Sequence, residues 1–167
     1  MTALVGASLT DVYTSLTGSE SGKVPGLGDI YWSHDGKAYK FVKYAEGTGA
    51  LDLAAGDVVY YVDVTGYAAN VVTADVSDST GAEIGAGVAM AAVTANNSYF
   101  WIQIKGFATL AVALGGSAGD GDPLTAVGAA DKALTKAAES DTAAVYKYVC
   151  AVAMDASDKE IICDFPF

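Results

Sequence analysis

A lone histidine, two acidic groupings and two cysteines are the residues whose types and spacing could do chemistry in this chain. His34 stands beside the Asp35-Gly36 pair of "SHDGKAY", where a solvated turn residue is expected rather than a proton shuttle. Asp120 with Asp122 in "SAGDGDP", and Asp155, Asp158 and Glu160 in "MDASDKEI", could offer oxygens to calcium. Their spacing is not the ligand pattern of a dedicated calcium loop, and acids in turns ordinarily cap backbone amides. No serine or cysteine has the strand–turn–helix setting of a nucleophile elbow. The Gly-rich "GAEIGAGVA" lacks the lysine and the setting of a phosphate loop. Two cysteines and one histidine are too few for a usual zinc site. The expectation is a chain with no catalytic residue, cofactor or metal, hence not an enzyme. A hydrolytic carboxylate pair, which only a fold can assemble, is the rival.

The elements around these residues read as strands. In "NNSYFWIQIKGFATLAV" (96–112), Phe100, Ile102 and Ile104 fall on one face and Tyr99, Trp101, Gln103 and Lys105 on the other. Gly106 interrupts the run, which predicts a bulge or close backbone approach and a change of register. "DIYWSHDGKAYKFVKY" (29–44) predicts a hairpin with a two-residue Asp-Gly turn. Further strands are expected in 53–64, 67–78, 84–95 and after "GGSAGDGDP". Residues 128–140 fit either a helix or a surface excursion.

"VYKYVCAVAMDASDKEIICDF" (145–165) predicts a closing hairpin with Tyr146, Tyr148, Cys150, Val152 and Met154 inward, returning as Ile161, Cys163 and Phe165. Positions summing to about 313 would then face each other, putting Cys150 opposite Cys163. Two reduced, buried thiols are favoured over a bridge.

Eight to ten short strands separated by Gly, Asp and Asn turns predict an all-β fold, a small β-barrel or β-sandwich of short antiparallel strands. Residues 1–28, rich in Ser, Thr and Gly, read as an extended N-terminal arm or a poorly packed lead-in, and 29–167 as a single β domain. The most apolar run, 84–95, is too short for a membrane-spanning helix, and the first twenty residues carry no signal-peptide pattern.

Nine lysines, no arginine and twenty acids leave a net charge of −11, which argues against nucleic acid and anionic membranes as partners. Solubility and mutual repulsion are what such an excess gives by itself.

"GDIYWSHDGKAYKFVKYAEG" followed by "AAGDVVYY", and "YFWIQIKGFATLAV" followed by "AGDGDPLTAVGAADKAL", resemble the decoration (cement) proteins of tailed-bacteriophage heads. There too an aromatic-x-Gln-x-x-Gly strand precedes a Gly-Asp turn. The resemblance covers about half of the chain and consists of strands and turns. It implies a non-enzymatic structural protein on the outer capsid surface of the virion, partnered by the major capsid protein and by its own copies as a dimer or trimer. A tail or baseplate module and a carbohydrate-binding or hydrolytic barrel are the alternatives.

Such a protein needs aromatics that another chain covers. The candidate interface residues are Tyr31, Trp32, Tyr61, Tyr99, Trp101 and Lys105. For Trp101 the expectation is burial by a sister subunit or the capsid. The competing account covers it with the arm or with residues 128–140.

Overall fold

Runs rich in Val, Ile, Tyr and Phe, cut by Gly, Asn and Asp, pair into one sheet system. The computed structural model describes residues 8–17, 24–49, 52–62, 70–79, 83–137 and 148–166. Among them are ten strands: β1 (Ile30–Trp32), β2 (Ala38–Tyr44), β3 (Val58–Tyr61), β4 (Val71–Thr73), β5 (Gly85–Ala89), β6 (Tyr99–Thr109), β7 (Pro123–Thr125), β8 (Thr135–Lys136), β9 (Val149–Asp155) and β10 (Glu160–Asp164). Their order is β1-β2-β4-β3-β5-β6-β10-β9-β7-β8, and β2 also pairs with β6. That extra ladder closes β2, β4, β3, β5 and β6 into a five-stranded barrel. All pairings are antiparallel except β2 with β4. The fold is therefore all-β, as expected, with β10, β9, β7 and β8 continuing the sheet beyond the barrel.

Val42, Tyr44, Phe100, Ile102 and Ile104 fill the barrel with Val58, Val72 and Val88, and the same core runs on to Leu124, Ile161 and Phe165. Small residues in β5 let its neighbours approach. A Cβ at Gly87 would lie 2.8 Å from the Gln103 carbonyl oxygen.

Gly106 is the pivot of β6. Before it, β6 pairs with β2 from Tyr99 to Lys105; beyond it, with β10. Its φ of +89° favours glycine, and a Cβ there would press within 3.0 Å of Lys37 Cγ. The Gln103 side-chain amide donates to the carbonyls of Lys105 (3.0 Å) and Phe107 (2.8 Å), tying the two sides of the pivot together.

Two local expectations are corrected, and an alternative left open over 128–140 is decided for its described part. The β1–β2 turn is not a two-residue loop: Gly36 N donates to Ser33 O and Ser33 N to Lys37 O, and Gly36 but not Asp35 has positive φ. That is a three-residue loop with a glycine bulge. In the closing hairpin, Cys163 opposes Ala151 and Ile162 opposes Val152, one residue off the expected register. A register shift of β9 against β7 also reverses the face of the following residues, so Ala151 and Ala153 point inward and Val152 and Met154 outward. Residues 128–137 form turns and β8 rather than a helix, while 138–140 lie outside the described residues.

Gly106→Ala should lose about 2 kcal/mol in urea unfolding, from left-handed strain plus the Lys37 contact. Gly36→Ala, with the same sign of φ but nothing within 4 Å of its Cβ, should lose about 1 kcal/mol. Equal losses would show that the Lys37 contact contributes nothing.

Candidate functional site

On the outer face of β2 and β6, Tyr39, Phe41 and Trp101 form a second small core. Leu9, Tyr13, Leu16 and Val24 of the N-terminal arm pack on it, with Tyr31, Met90 and Tyr99 at its margin. Two backbone bonds fasten the arm: Tyr13 N donates to Tyr99 O (2.8 Å) and Tyr99 N to Tyr13 O (2.7 Å). Rings interlock beneath it, Phe41 with Trp101 at 5.2 Å between centroids and Tyr13 edge-on to Phe41 at 5.7 Å. Trp101 is only 1% exposed. The expectation that another chain covers it is corrected: the arm of the same chain packs on its cluster through Leu9, Tyr13, Leu16 and Val24, so the apolar outer face is buried from within. Among the described residues its buried Nε1–H has no hydrogen-bond partner, a cost of about 1–3 kcal/mol that the ring packing must exceed.

Of the other candidate residues, Tyr31 and Tyr99 join Trp101 at this cluster, whereas Trp32, Tyr61 and Lys105 lie apart from it. Tyr61 is corrected likewise: it is buried, and its hydroxyl donates to Pro166 O (3.1 Å) and accepts from Lys40 Nζ (2.9 Å). Tyr31 is half-buried and stacks on Tyr39, and half-buried Tyr99 carries the arm's bridge. Lys105 pairs with Asp164 at 2.6 Å. Trp32 is exposed.

Among the described residues Lys40 is buried, as are Asp57 and Asp75, and it is the buried charged side chain with an amine. Positions 38, 40, 42 and 44 of β2 face inward, so its amine enters the barrel, and desolvation lowers its pKa to about 8. Nζ lies 5.0 Å from the Tyr61 ring centroid but 2.9 Å from its hydroxyl, beyond the ring's end rather than over its face. A hydrogen bond therefore holds it, linking β2 through β3 to the C-terminal segment. An amine of that pKa could act as a base or nucleophile, but here it is sealed from solvent at 3% exposure.

The acidic groupings serve turns. Asp122 accepts from Gly119 N (2.7 Å) and pairs with Lys136 (2.9 Å), and these contacts lower its pKa. Asp120 accepts from Ala156 N. Asp155 accepts from the Ser157 hydroxyl and from the amides of Ser157 and Asp158, which holds its carboxyl below the ordinary value. Among the described residues no three His, Cys, Asp or Glu side chains gather as a metal site. His34 is exposed in its turn. Cys150 and Cys163 are free, buried thiols, and burial raises both, Cys163 to about 12. A G-x-S-x-G spacing missed in the sequence occurs at 115–119. Ser117 there has a φ of +52° but leads through turns to β7 rather than into a helix. An open groove of about 320 Å³ runs past Lys37, Gly56, Met90, Gln103 and Phe107. Its one amide, Gln103, is already committed to backbone carbonyls.

What sequence reasoning missed is a continuous apolar face. Of eight large apolar side chains exposed among the described residues, five lie on three adjacent strands: Phe107 on β6, Ile162 on β10, and Val149, Val152 and Met154 on β9. Ile162 directly opposes Phe107 on one side and Val152 on the other. The outward parity of Phe107 was readable from Trp101 and Gln103; that of Val152 and Met154 depended on the β9 shift. The chain matches no family model, no curated protein and no solved structure.

Two measurements check these assignments. In a Trp32→Phe background, deleting residues 1–24 should red-shift Trp101 emission and raise acrylamide quenching several-fold; unchanged emission would mean the arm is not the cover. Lys40 has a folded pKa below its unfolded one, so the unfolded chain holds more protons between the two values. Its burial thus costs stability at neutral pH, and that cost fades as pH rises through about 8. Lys40→Met should be the more stable protein near neutrality, and its advantage should shrink by about 1 kcal/mol between about pH 7 and about pH 9. A gap constant with pH would contradict the buried titration.

Proposed function

We propose that this protein is a structural component of a tailed-phage virion that binds the outer surface of the assembled head and reinforces it, as a homo-oligomer and without catalysis. The observation that carries the association part of the reading is the five-residue apolar face on β6, β10 and β9, on a barrel where Asp122 and Asp155 are engaged in turns. Exposed apolar area gathered in one place marks contact with another macromolecule. The strand-and-turn resemblance to decoration proteins supplies the partner, the major capsid protein. A net charge of −11 is compatible with that role, since it would leave decorated particles negative and mutually repelling.

Co-sedimentation tests it. The purified chain should pellet with assembled heads of the phage that encodes it and raise their disruption temperature. Pelleting with tails instead would move the protein to a tail or baseplate role, and binding to neither would overturn the virion reading.

A further inference from the structure

We propose that the outer face of β6, β10 and β9 is the contact between two copies of this chain, packed sheet to sheet about a two-fold axis that runs along β10 through Ile162. The inference rests on the homo-oligomer part of the function proposed above and not on binding to a head.

The face is built in register. Phe107, Ile162, Val152 and Pro123 stand directly opposite one another across β6, β10, β9 and β7, so the row spans four neighbouring strands without a step. Met154 extends it along β9. Phe107, Val152 and Ile162 are each about two-fifths exposed and Met154 about half. With Val149 these side chains present roughly 400 Å². An isologous contact uses the same patch twice and would bury roughly 800 Å² of apolar surface, about half of a standard interface of ~1,600 Å². Non-obligate interfaces are a little over half apolar, so the area suits a standard dimer with a polar rim.

The row is also self-complementary. Ile162 lies at its centre, with the larger Phe107 on one side and the smaller Val152 on the other. A two-fold along β10 sets Phe107 of one copy over Val152 of the second and Ile162 on Ile162, as facing sheets interdigitate at ~10 Å.

Charge opposes a second copy only weakly at this face. The flanking outward positions on β6 and β10 are Lys105 with Asp164 on one side and Thr109 with Glu160 on the other. One lysine stands against two carboxylates, in a chain of net −11, and Lys105 and Asp164 neutralise each other at 2.6 Å. With that pair neutralised, Glu160 is the one uncompensated charge among these four flanking positions, so apolar contact outweighs like-charge repulsion at the row. Repulsion between the remaining charges makes the dimer tighter as salt rises.

Sedimentation velocity over a hundredfold range of concentration, at low and high sodium chloride, tests this. The wild-type chain should form a dimer whose dissociation constant falls with salt. Ile162→Lys and Met154→Lys, at exposed positions, should keep the circular dichroism and melting profile and weaken dimerisation about thirtyfold or more. Trp32→Ala, exposed but off the row, should change nothing. A monomer throughout, a trimer, or a dimer indifferent to both lysine variants would overturn the inference. Head binding is read separately: a monomer that pellets with heads keeps the proposed function and defeats this contact, and a dimer that ignores heads does the reverse.

Discussion

The pairing of β2 with β6 is the interaction on which the rest of the structure depends, because this ladder is buried on both faces. Its inward side chains, Val42, Tyr44, Phe100, Ile102 and Ile104, close the barrel. Its outward ones, Tyr39, Phe41 and Trp101, seat the arm. A strand covered on both sides must be apolar almost continuously, as "AYKF" and "YFWIQI" are. The two polar residues caught in it must find partners inside the protein. Gln103 does so through the carbonyls of Lys105 and Phe107, and Lys40 through the Tyr61 hydroxyl. Breaking the ladder would open the barrel and strip the arm of its support together.

Gly106 then turns one long strand to two purposes. Up to Lys105, β6 belongs to the barrel wall; from Lys105 onward it pairs with β10, and β9, β7 and β8 follow. The arm's cluster covers β6 at Trp101, whereas the face carrying Phe107, Ile162 and Val152 remains exposed. Two aromatic outward positions on one strand thus meet opposite fates: Trp101 lies under the chain itself and Phe107 faces outward. Their types do not separate them; their distance from the arm does.

That difference marks the limit of what the sequence discloses. The all-β class, the inward set of β6, the special position of Gly106 and the buried thiols were legible, since each follows from local periodicity or from one residue's conformational freedom. Closure of the barrel was not, because it needs β2 to pair with a strand about sixty residues away. The cover over Trp101 depended on where the arm runs, and the arm has no periodicity to declare it. Val152 and Met154 were misplaced for a sharper reason: strand parity propagates along a strand only until a bulge. The β9 shift against β7 lies just before them. Both residues that local alternation sent to the core therefore became part of the exposed face.

The distribution of charge gives that face its meaning. Asp29, Asp57, Asp75, Asp122 and Asp155 accept backbone amides in turns, so much of the acidity sits where strands end rather than on sheet faces. The terminal strands of the sheet order, β1 and β8, are three and two residues long and offer little backbone to a stray strand. Short edges and acidic turns disfavour edge-to-edge growth, and among the described residues most of the exposed large apolar side chains lie on the β6–β10–β9 face instead. The self-contact proposed above would be served by that division, because blunted edges would confine association to the exposed sheet face.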